Sequence, residues 1–200
     1  YDDAMYFDGV DDYIAIGSNL DLAPTNTWEL EAKVLVQKST ENQTIIGGDG
    51  STIAVRIEGG DVGLSYGGFT NGTNAWRSTG ITIPLNTLTT VKVTWDGVDT
   101  AEIFLGGVSQ GTATISSPSY AAQSFKIGAR LASSDFLLGI IRDVSITING
   151  TLTHSYVGDG NTNSNWLDTV GSNNGTVNGA PVTVAQAKAA FLPIDPNDIE

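Results

Sequence analysis

The strongest constraint on the fold is a two-residue alternation of apolar and polar side chains that recurs along the chain. Residues 53–58, 90–95, 102–105 and 143–148 each place isoleucine, valine, leucine or tryptophan at every second position. Successive side chains of a β-strand point to opposite faces of a sheet, so each run predicts a strand with one buried face and one wetter face. Amphipathic helical segments are missing between these runs, which argues against a parallel βαβ architecture.

Short segments rich in glycine and aspartate separate these runs and predict tight turns. Gly-Gly-Asp at residues 59–61 and Asp-Gly at residues 96–97 are typical of β-hairpins, because these residue types adopt the positive φ angles that such turns require. Many short strands with turns of this kind are typical of all-β folds. The sequence therefore predicts an all-β, two-sheet antiparallel β-sandwich.

One helix is predicted, near the C-terminus. Residues 184–191 are rich in alanine, which favours a helix, and Pro193 ends it. The residues after Pro193 include a second proline and three acids, a composition typical of an extended tail or linker. We therefore expect the sandwich to span residues 1–183, and the helix and tail to span residues 184–200.

The composition restricts the class of partner. The 200 residues carry 9 basic and 22 acidic side chains, for a net charge of −13 at pH 7. A field of this sign repels phosphate backbones and anionic headgroups, so nucleic acid and membranes are poor partners, whereas divalent cations and neutral glycans are compatible with it. The same charge also favours solubility alone. Cysteine is absent, which excludes disulfides and zinc sites built on cysteine.

Four segments, taken in order, carry a family resemblance. Residues 7–16 begin with Phe-Asp-Gly-Val-Asp-Asp, and residues 28–36, 88–97 and 138–146 follow as strand-like blocks. Together they resemble the laminin-G-like, concanavalin A-like jelly rolls of bacterial secreted proteins and phage fibres. The resemblance implies a scaffold that mostly binds sugars and is occasionally an enzyme. Residues 166–177 also resemble a family signature that usually precedes the first block, so the segment at 157–180 either closes this sandwich or begins another repeat.

The resemblance also implies a structural calcium ion. Related β-glucanase-type jelly rolls use an aspartate of the last strand together with groups near the first strand, and Asp143 and Asp8 occupy the matching positions. Calcium prefers several oxygen ligands, so these carboxylates are suitable. The alternatives are that Asp8 caps a turn and that Asp143 is an ordinary exposed carboxylate. Asp11 and Asp12 lie close to Asp8, but their spacing does not match an EF-hand loop, and a solvated turn accounts for them.

Two groups of residues suggest catalysis, and the sequence favours a non-catalytic interpretation of both. Glu29 and Glu31 point to the same face of a predicted strand, as the paired carboxylates of glycosidases do. A resemblance to the retaining glucanases of this class would require an acidic residue at the third alternate position of the strand. Lys33 occupies that position here. His154 and Tyr156 resemble the acid–base pair of polysaccharide lyases, but the lyase strands rich in Arg, Gln and His are missing.

A loop rich in glycine, asparagine and threonine contains the candidate ligand-binding residues. Aromatic side chains in such a polar loop indicate a ligand-binding role, because sugar sites combine aromatic platforms with polar hydrogen-bonding groups. The predicted binding patch consists of Tyr66, Phe69, Trp76 and Arg77. The alternative is that Trp76 begins the next strand and points inward.

Three functions are compatible with these observations. The first is a non-catalytic carbohydrate-binding module, similar to a lectin or adhesin, in a larger extracellular or phage-fibre protein that contacts a glycan or cell-surface polysaccharide. The second is a structural or assembly domain of a virion or surface protein, without sugar affinity and with a possible homo-oligomeric state in a fibre. The third is a polysaccharide hydrolase or lyase. The expected location is extracellular, on the cell surface or on a virion.

Overall fold

The computed structural model describes residues 4–17, 20–48, 53–66, 76–115, 124–130, 135–161 and 165–183. These residues form sixteen β-strands: β1 (Met5–Asp8), β2 (Tyr13–Ile16), β3 (Trp28–Val36), β4 (Gln43–Gly48), β5 (Ile53–Glu58), β6 (Asp61–Tyr66), β7 (Trp76–Thr82), β8 (Thr89–Trp95), β9 (Thr100–Leu105), β10 (Val108–Thr114), β11 (Phe125–Ile127), β12 (Leu138–Ile148), β13 (Thr151–Asn161), β14 (Asn165–Asp168), β15 (Gly175–Asn178) and β16 (Val182–Thr183). The helix predicted at residues 184–191 and the tail that follows lie outside the described residues.

The strands are connected by one continuous path of hydrogen-bonded pairs. The order is β10-β9-β8-β3-β12-β13-β14-β15-β2-β11-β4-β5-β6-β7, and β1 pairs with β12 and β16 beside this path. Every pair between these strands is antiparallel. The path curls back so that β10, at one end, contacts β7, at the other. The predicted all-β antiparallel fold is confirmed.

The predicted alternation fixes which side chains enter the core. Along β8, and in β3 from Trp28 to Val34, every second residue is buried, and the residues between are half-buried on the opposite face. Trp28 and Trp95 lie opposite each other in register and stack, with ring centroids 6.3 Å apart. The inward side chains of β3, β8 and β12 join those of β2, β4, β5, β6 and β11 in one hydrophobic core. The strands therefore enclose a shared interior, which is consistent with the predicted β-sandwich, although the predicted two sheets are joined into one continuous sheet that curls on itself.

The turns confirm one of the predicted hairpins in detail and modify the other. Gly59 and Gly60 both have positive φ angles and join β5 to β6 as a two-residue turn. The loop between β8 and β9 instead contains four residues, because the Oδ1 atom of Asp96 accepts the N–H groups of Val98, Asp99 and Thr100 at 2.8–3.0 Å. The side chain of Asp96 thus replaces the two-residue Asp-Gly turn with a wider, capped loop.

The segment at residues 157–180 closes the same sandwich. Strand β15 pairs with β2 through four residues, from Gly175 opposite Ile16 to Asn178 opposite Tyr13. Trp166 of β14 is fully buried in the shared core. The strands after residue 157 therefore complete the fold that the earlier strands begin. Within the described residues, no helix is long and apolar enough to cross a membrane.

Candidate functional site

The predicted binding patch lies at one end of the β6–β7 hairpin. Tyr66 is the last residue of β6, and Trp76 and Arg77 are the first two residues of β7. Ser65 pairs with Trp76, so the backbones of Tyr66, Trp76 and Arg77 lie close together. Phe69 is in the segment at 67–75, outside the described residues. The backbone thus brings three of the four predicted residues to one place, and the role of their side chains stays a prediction.

The acidic turn between β1 and β2 is built around the buried carboxylate of Asp12. Its Oδ2 atom accepts the N–H of Asp8 at 3.0 Å, and its Oδ1 atom accepts the N–H of Ala180 at 2.7 Å. Asp8 in turn accepts the N–H of Val10 through Oδ1 at 2.8 Å. Burial raises the pKa of the Asp12 carboxyl, and the nearby charges of Asp8 and Asp11 raise it further. The two backbone hydrogen bonds lower the pKa, but they do not outweigh these effects. The turn is therefore organised by its own acids, as the capping interpretation of Asp8 anticipated.

The structure does not bring Asp8 and Asp143 together. Asp8 pairs with Leu138 at the start of β12, whereas Asp143 lies five residues further along that strand. At about 3.4 Å per residue, the two backbones are roughly 17 Å apart along the strand. The Asp143 carboxylate instead contacts Lys33 Nζ at 3.1 Å and the N–H of Gly158 at 3.3 Å. Asp143 therefore serves to join β12 to its neighbours.

The acidic turn is the group of described residues whose dimensions suit a divalent cation. One carboxylate oxygen from each of Asp8, Asp11 and Asp12 lies within 4.8 Å of the others. Two oxygens on opposite sides of a calcium ion, each about 2.4 Å from it, are also about 4.8 Å apart. Both oxygens of Asp12 already accept backbone N–H groups. A cation held here would thus have to rely mainly on Asp8, Asp11 and backbone carbonyls.

The outer side of β8, β3 and β12 forms a surface of half-buried polar side chains, which we call the polar face. Its members alternate with core residues along each strand. They are Glu29, Glu31 and Lys33 of β3, Thr90, Lys92 and Thr94 of β8, and Asp143, Ser145 and Thr147 of β12. Their registers place Thr94, Glu29 and Thr147 in one row across the three strands. The polar face thus presents hydroxyl, carboxylate and ammonium groups side by side.

Ion pairs reduce the net charge of the polar face. Lys92 Nζ lies 3.4 Å from Glu29 Oε2 and 4.6 Å from the centre of the Phe104 ring on β9. Lys33 and Asp143 form the second pair. Glu29 and Glu31 share this face, as the sequence predicted. Lys92, which pairs with Glu29, lies directly opposite Glu31 in the register of β3 and β8. The arrangement suits the binding of uncharged polar groups.

His154 and Tyr156 are engaged in structural contacts. The Nδ1 atom of His154 lies 2.7 Å from Oδ2 of Asp168. Tyr156 is fully buried, and its hydroxyl donates to the carbonyl of Asn173 at 2.7 Å. Burial, with a smaller contribution from the charge of Asp168, raises the pKa of this hydroxyl. These contacts support the interpretation of His154 and Tyr156 as strand residues rather than as an acid–base pair.

Asp168 organises the turn between β14 and β15, a role that the sequence interpretation missed. Its oxygens accept four backbone N–H groups, those of Ser155, Val170, Gly171 and Asn173. The signal was present in the family-like signature at 166–177, which contains Asp, Gly and Asn at the positions that form this turn. That signature therefore encodes a structural turn.

Comparison with known proteins places the fold. A family model described as the concanavalin A-like lectin/glucanases superfamily matches residues 8–157. No curated protein matches the chain in sequence. Among solved structures, a Bacteroides ovatus protein with a proposed carbohydrate-binding role superposes with a TM-score of 0.68 at 17% identity, over 90% of this chain and 59% of that one.

Two further structures share the fold. Domain 4 of AbnA, an extracellular arabinanase from Geobacillus stearothermophilus solved with arabinotriose, has a TM-score of 0.57 at 19% identity over 75% of this chain and 72% of that one. The NanB sialidase of Streptococcus pneumoniae has a TM-score of 0.50 at 14% identity over 64% of this chain and 22% of that one. At these identities the likeness concerns the fold alone. The family match covers most of the strands described above, and the chain belongs to the concanavalin A-like lectin/glucanase superfamily.

Proposed function

We propose that this chain is a non-catalytic carbohydrate-binding module. The observation that carries the proposal is the polar face, on which carboxylate, hydroxyl and ammonium groups lie in register within a superfamily that includes lectins. Sugars expose hydroxyl groups that such side chains can bind and C–H faces that aromatic rings can cover. The internal ion pairs leave the face suited to neutral glycans, and the net charge of −13 disfavours polyanionic ones.

Two structural relatives support the same class of ligand. The Bacteroides ovatus protein has a proposed carbohydrate-binding role, and the arabinanase domain was solved with arabinotriose. The present chain spans 59% of the length of the Bacteroides ovatus protein. The activity of any longer protein that contains the present chain is therefore also a proposal. An extracellular or virion-associated setting, as a module that contacts a cell-surface polysaccharide, is consistent with this function and stays a prediction.

The patch predicted from sequence is the first surface to test. A glycan array incubated with the protein, once with calcium and once with a chelator, should show binding to at least one neutral glycan. Trp76→Ala and Arg77→Ala should weaken that binding if the end of the β6–β7 hairpin contacts the sugar. Failure to bind any glycan in either condition would count against the proposed function. A stable oligomer without glycan binding would favour the structural or assembly role instead.

A further inference from the structure

A small pocket opens at the end of the polar face where β3 begins and β8 and β12 approach their ends. Its volume is about 230 Å³. Thr27, Glu29, Thr94 and Thr147 line it, together with Gly150 and with Trp28 and Trp95, whose rings belong to the core. Sites for drug-sized ligands measure roughly 300–1,000 Å³, so this pocket suits one small ring rather than a segment of a chain.

The polar groups of the pocket come from three adjacent strands in register. Thr94 of β8 and Thr147 of β12 lie on either side of Glu29 of β3. Neighbouring strands are about 4.8 Å apart, so the two hydroxyl groups bracket the carboxylate over about 10 Å. A carboxylate accepts hydrogen bonds, whereas a threonine hydroxyl both donates and accepts them. This combination matches a ligand that carries several neighbouring hydroxyl groups.

The charge of Glu29 is balanced within the protein. Lys92 lies 3.4 Å from the Glu29 carboxylate on the same face. Because the ion pair has little net charge, it offers a cation no strong attraction, and it can still hydrogen-bond a neutral ligand. Trp28 and Trp95 are only 3% and 2% exposed, so their rings do not form the open aromatic cage that binds quaternary ammonium groups.

The loops at this end of the sheet hold the pocket in place. Asn149 and Gly150 both have positive φ angles and form the two-residue turn between β12 and β13. The Asn149 side chain accepts the N–H of Thr27 at 3.1 Å, and its backbone N–H donates to the Thr27 carbonyl at 2.8 Å. Trp95 Nε1 donates to the carbonyl of Pro24 at 2.9 Å. A site held in this way loses little conformational entropy when a ligand binds.

We propose that this pocket binds one neutral sugar ring of a glycan, with Glu29 as hydrogen-bond acceptor and Thr94 and Thr147 as hydroxyl partners. The inference rests on the carbohydrate-binding function proposed above and adds a site that is separate from the patch at Tyr66, Trp76 and Arg77. The patch residues lie on β6 and β7, whereas the pocket lies on β3, β8 and β12.

The test uses methyl glycosides of neutral monosaccharides as ligands and the backbone amide signals of Glu29 and Thr147 as reporters. In a ¹⁵N-resolved NMR titration of the whole chain, we expect at least one methyl glycoside to shift the backbone amide signals of Glu29 and Thr147, which line the pocket. Thr94→Tyr places a bulky side chain in the pocket, and tyrosine is well tolerated in strands, so the variant should fold. This variant should weaken the affinity by about tenfold or more, which corresponds to about 1.4 kcal/mol.

A matched control lies on the same strand and the same face. Thr90 is four residues before Thr94 and faces Lys33 rather than the pocket. Thr90→Tyr should therefore leave the titration unchanged. The pocket assignment is overturned if no methyl glycoside shifts the Glu29 and Thr147 amide signals, if Thr94→Tyr binds like the wild type, or if choline shifts these signals where the glycosides do not.

The glycan array separates the failure of this inference from the failure of the proposed function. If the array shows glycan binding that Trp76→Ala removes and Thr94→Tyr preserves, the module binds carbohydrate and the pocket is not the site. If the array shows no binding to any glycan, the carbohydrate-binding function itself fails. Binding that Thr94→Tyr removes and Thr90→Tyr preserves supports both.

Discussion

The Nδ1 atom of His154 lies 2.7 Å from the Oδ2 atom of Asp168, so the one histidine of the chain is joined to a carboxylate whose side chain is fully buried. Burial alone would raise the pKa of Asp168. The hydrogen bond from His154, together with the N–H bonds from Ser155, Gly171 and Asn173, outweighs that effect and lowers the pKa to about 2. Asp168 therefore stabilises the fold in its ionised form.

Asp168→Asn should destabilise the protein by roughly 2.5 kcal/mol at pH 7. A pKa of about 2 in the folded state, against 3.8 for an ordinary aspartate, corresponds to a contribution of that size to the free energy of unfolding. Because the folded-state pKa is depressed, this contribution is complete above pH 3.8 and is lost as the pH falls towards 2. Urea unfolding of both proteins from pH 7 to pH 2 would show the difference between them shrinking in that window.

Asp143→Asn is the matched control for this measurement. Asp143 pairs with Lys33, but the two side chains are 26% and 43% exposed, and such pairs contribute about 0–1 kcal/mol. We therefore expect a much smaller loss than for Asp168→Asn. Equal losses in the two variants, or a difference for Asp168→Asn that persists unchanged at pH 2, would contradict the role given to Asp168.

Trp166→Ala should destabilise the whole domain by about 3–5 kcal/mol, the usual loss for a buried tryptophan. Trp166 is fully buried, contacts the Tyr156 ring edge-on, and donates from Nε1 to the carbonyl of Val157 at 2.7 Å. It also lies beyond residue 157, where the family match ends.

The shape of the unfolding transition tests whether the later strands belong to the same unit. If β14 and β15 close this sandwich, Trp166→Ala should shift one cooperative transition seen alike by fluorescence and circular dichroism. Leu167→Ala is the control, because Leu167 is its exposed neighbour on β14. Two separate transitions, or a loss no larger than that of the control, would show that residues 158–183 are not part of the cooperative core.

The sequence predicted the features that depend on neighbouring residues. The alternation in β3 and β8 identified which face is buried, because the side-chain period of a strand is a local property. The Gly59–Gly60 turn was predicted for the same reason, since its φ angles depend on the two glycines themselves. The family could also be predicted from the sequence, because its characteristic blocks follow one another in a fixed order along the chain.

The features that depend on distant pairing could not be predicted in this way. Asp143 faces Lys33, which is 110 residues away, only because β12 and β3 pair in one particular register. Asp12 accepts an N–H from Ala180, 168 residues along the chain. The pocket at Glu29 needs three strands aligned so that two threonines bracket one carboxylate. A single sequence does not specify these registers, so neither the ion pair nor the pocket was visible in it.

Asn149→Ala should reduce both stability and sugar binding. The residue has a φ of 49°, which asparagine tolerates better than alanine, and its side chain bonds to Thr27 and Asn26. We expect a loss of about 1–3 kcal/mol from the φ angle and the hydrogen bonds together. The methyl glycoside titration should also weaken, because the turn that supports the pocket loses its connection to Thr27.

Asn86→Ala separates the cost of the φ angle from the loss of the side-chain hydrogen bonds. Asn86 has a similar φ of 54°, and its bond to the carbonyl of Val36 comes from the backbone N–H, which alanine retains. This variant should show the cost of the φ angle alone and leave the titration unchanged. If Asn149→Ala and Asn86→Ala had the same effect on stability, the side-chain bonds of Asn149 would contribute nothing.

Calcium should raise the melting temperature of the wild-type protein relative to a chelator, if the ion expected from the sequence binds at the acidic turn. The variant that tests this is Asp11→Asn, because Asp11 is exposed and its carboxylate belongs to the group of three within 4.8 Å. A bound cation stabilises the folded state in proportion to the logarithm of its concentration over Kd, so the response should grow with added calcium. Asp11→Asn should reduce that response.

The two possible calcium ligand sets predict different outcomes for Asp143→Asn. Asp143 is roughly 17 Å from Asp8 along the strand and contacts Lys33, so its substitution should leave the calcium response intact. A response lost in Asp143→Asn and kept in Asp11→Asn would instead support the ligand pair expected from the sequence. A melting temperature that is the same with calcium and with a chelator would exclude a stabilising calcium ion at either place, and the three acids would then serve only to shape the turn between β1 and β2.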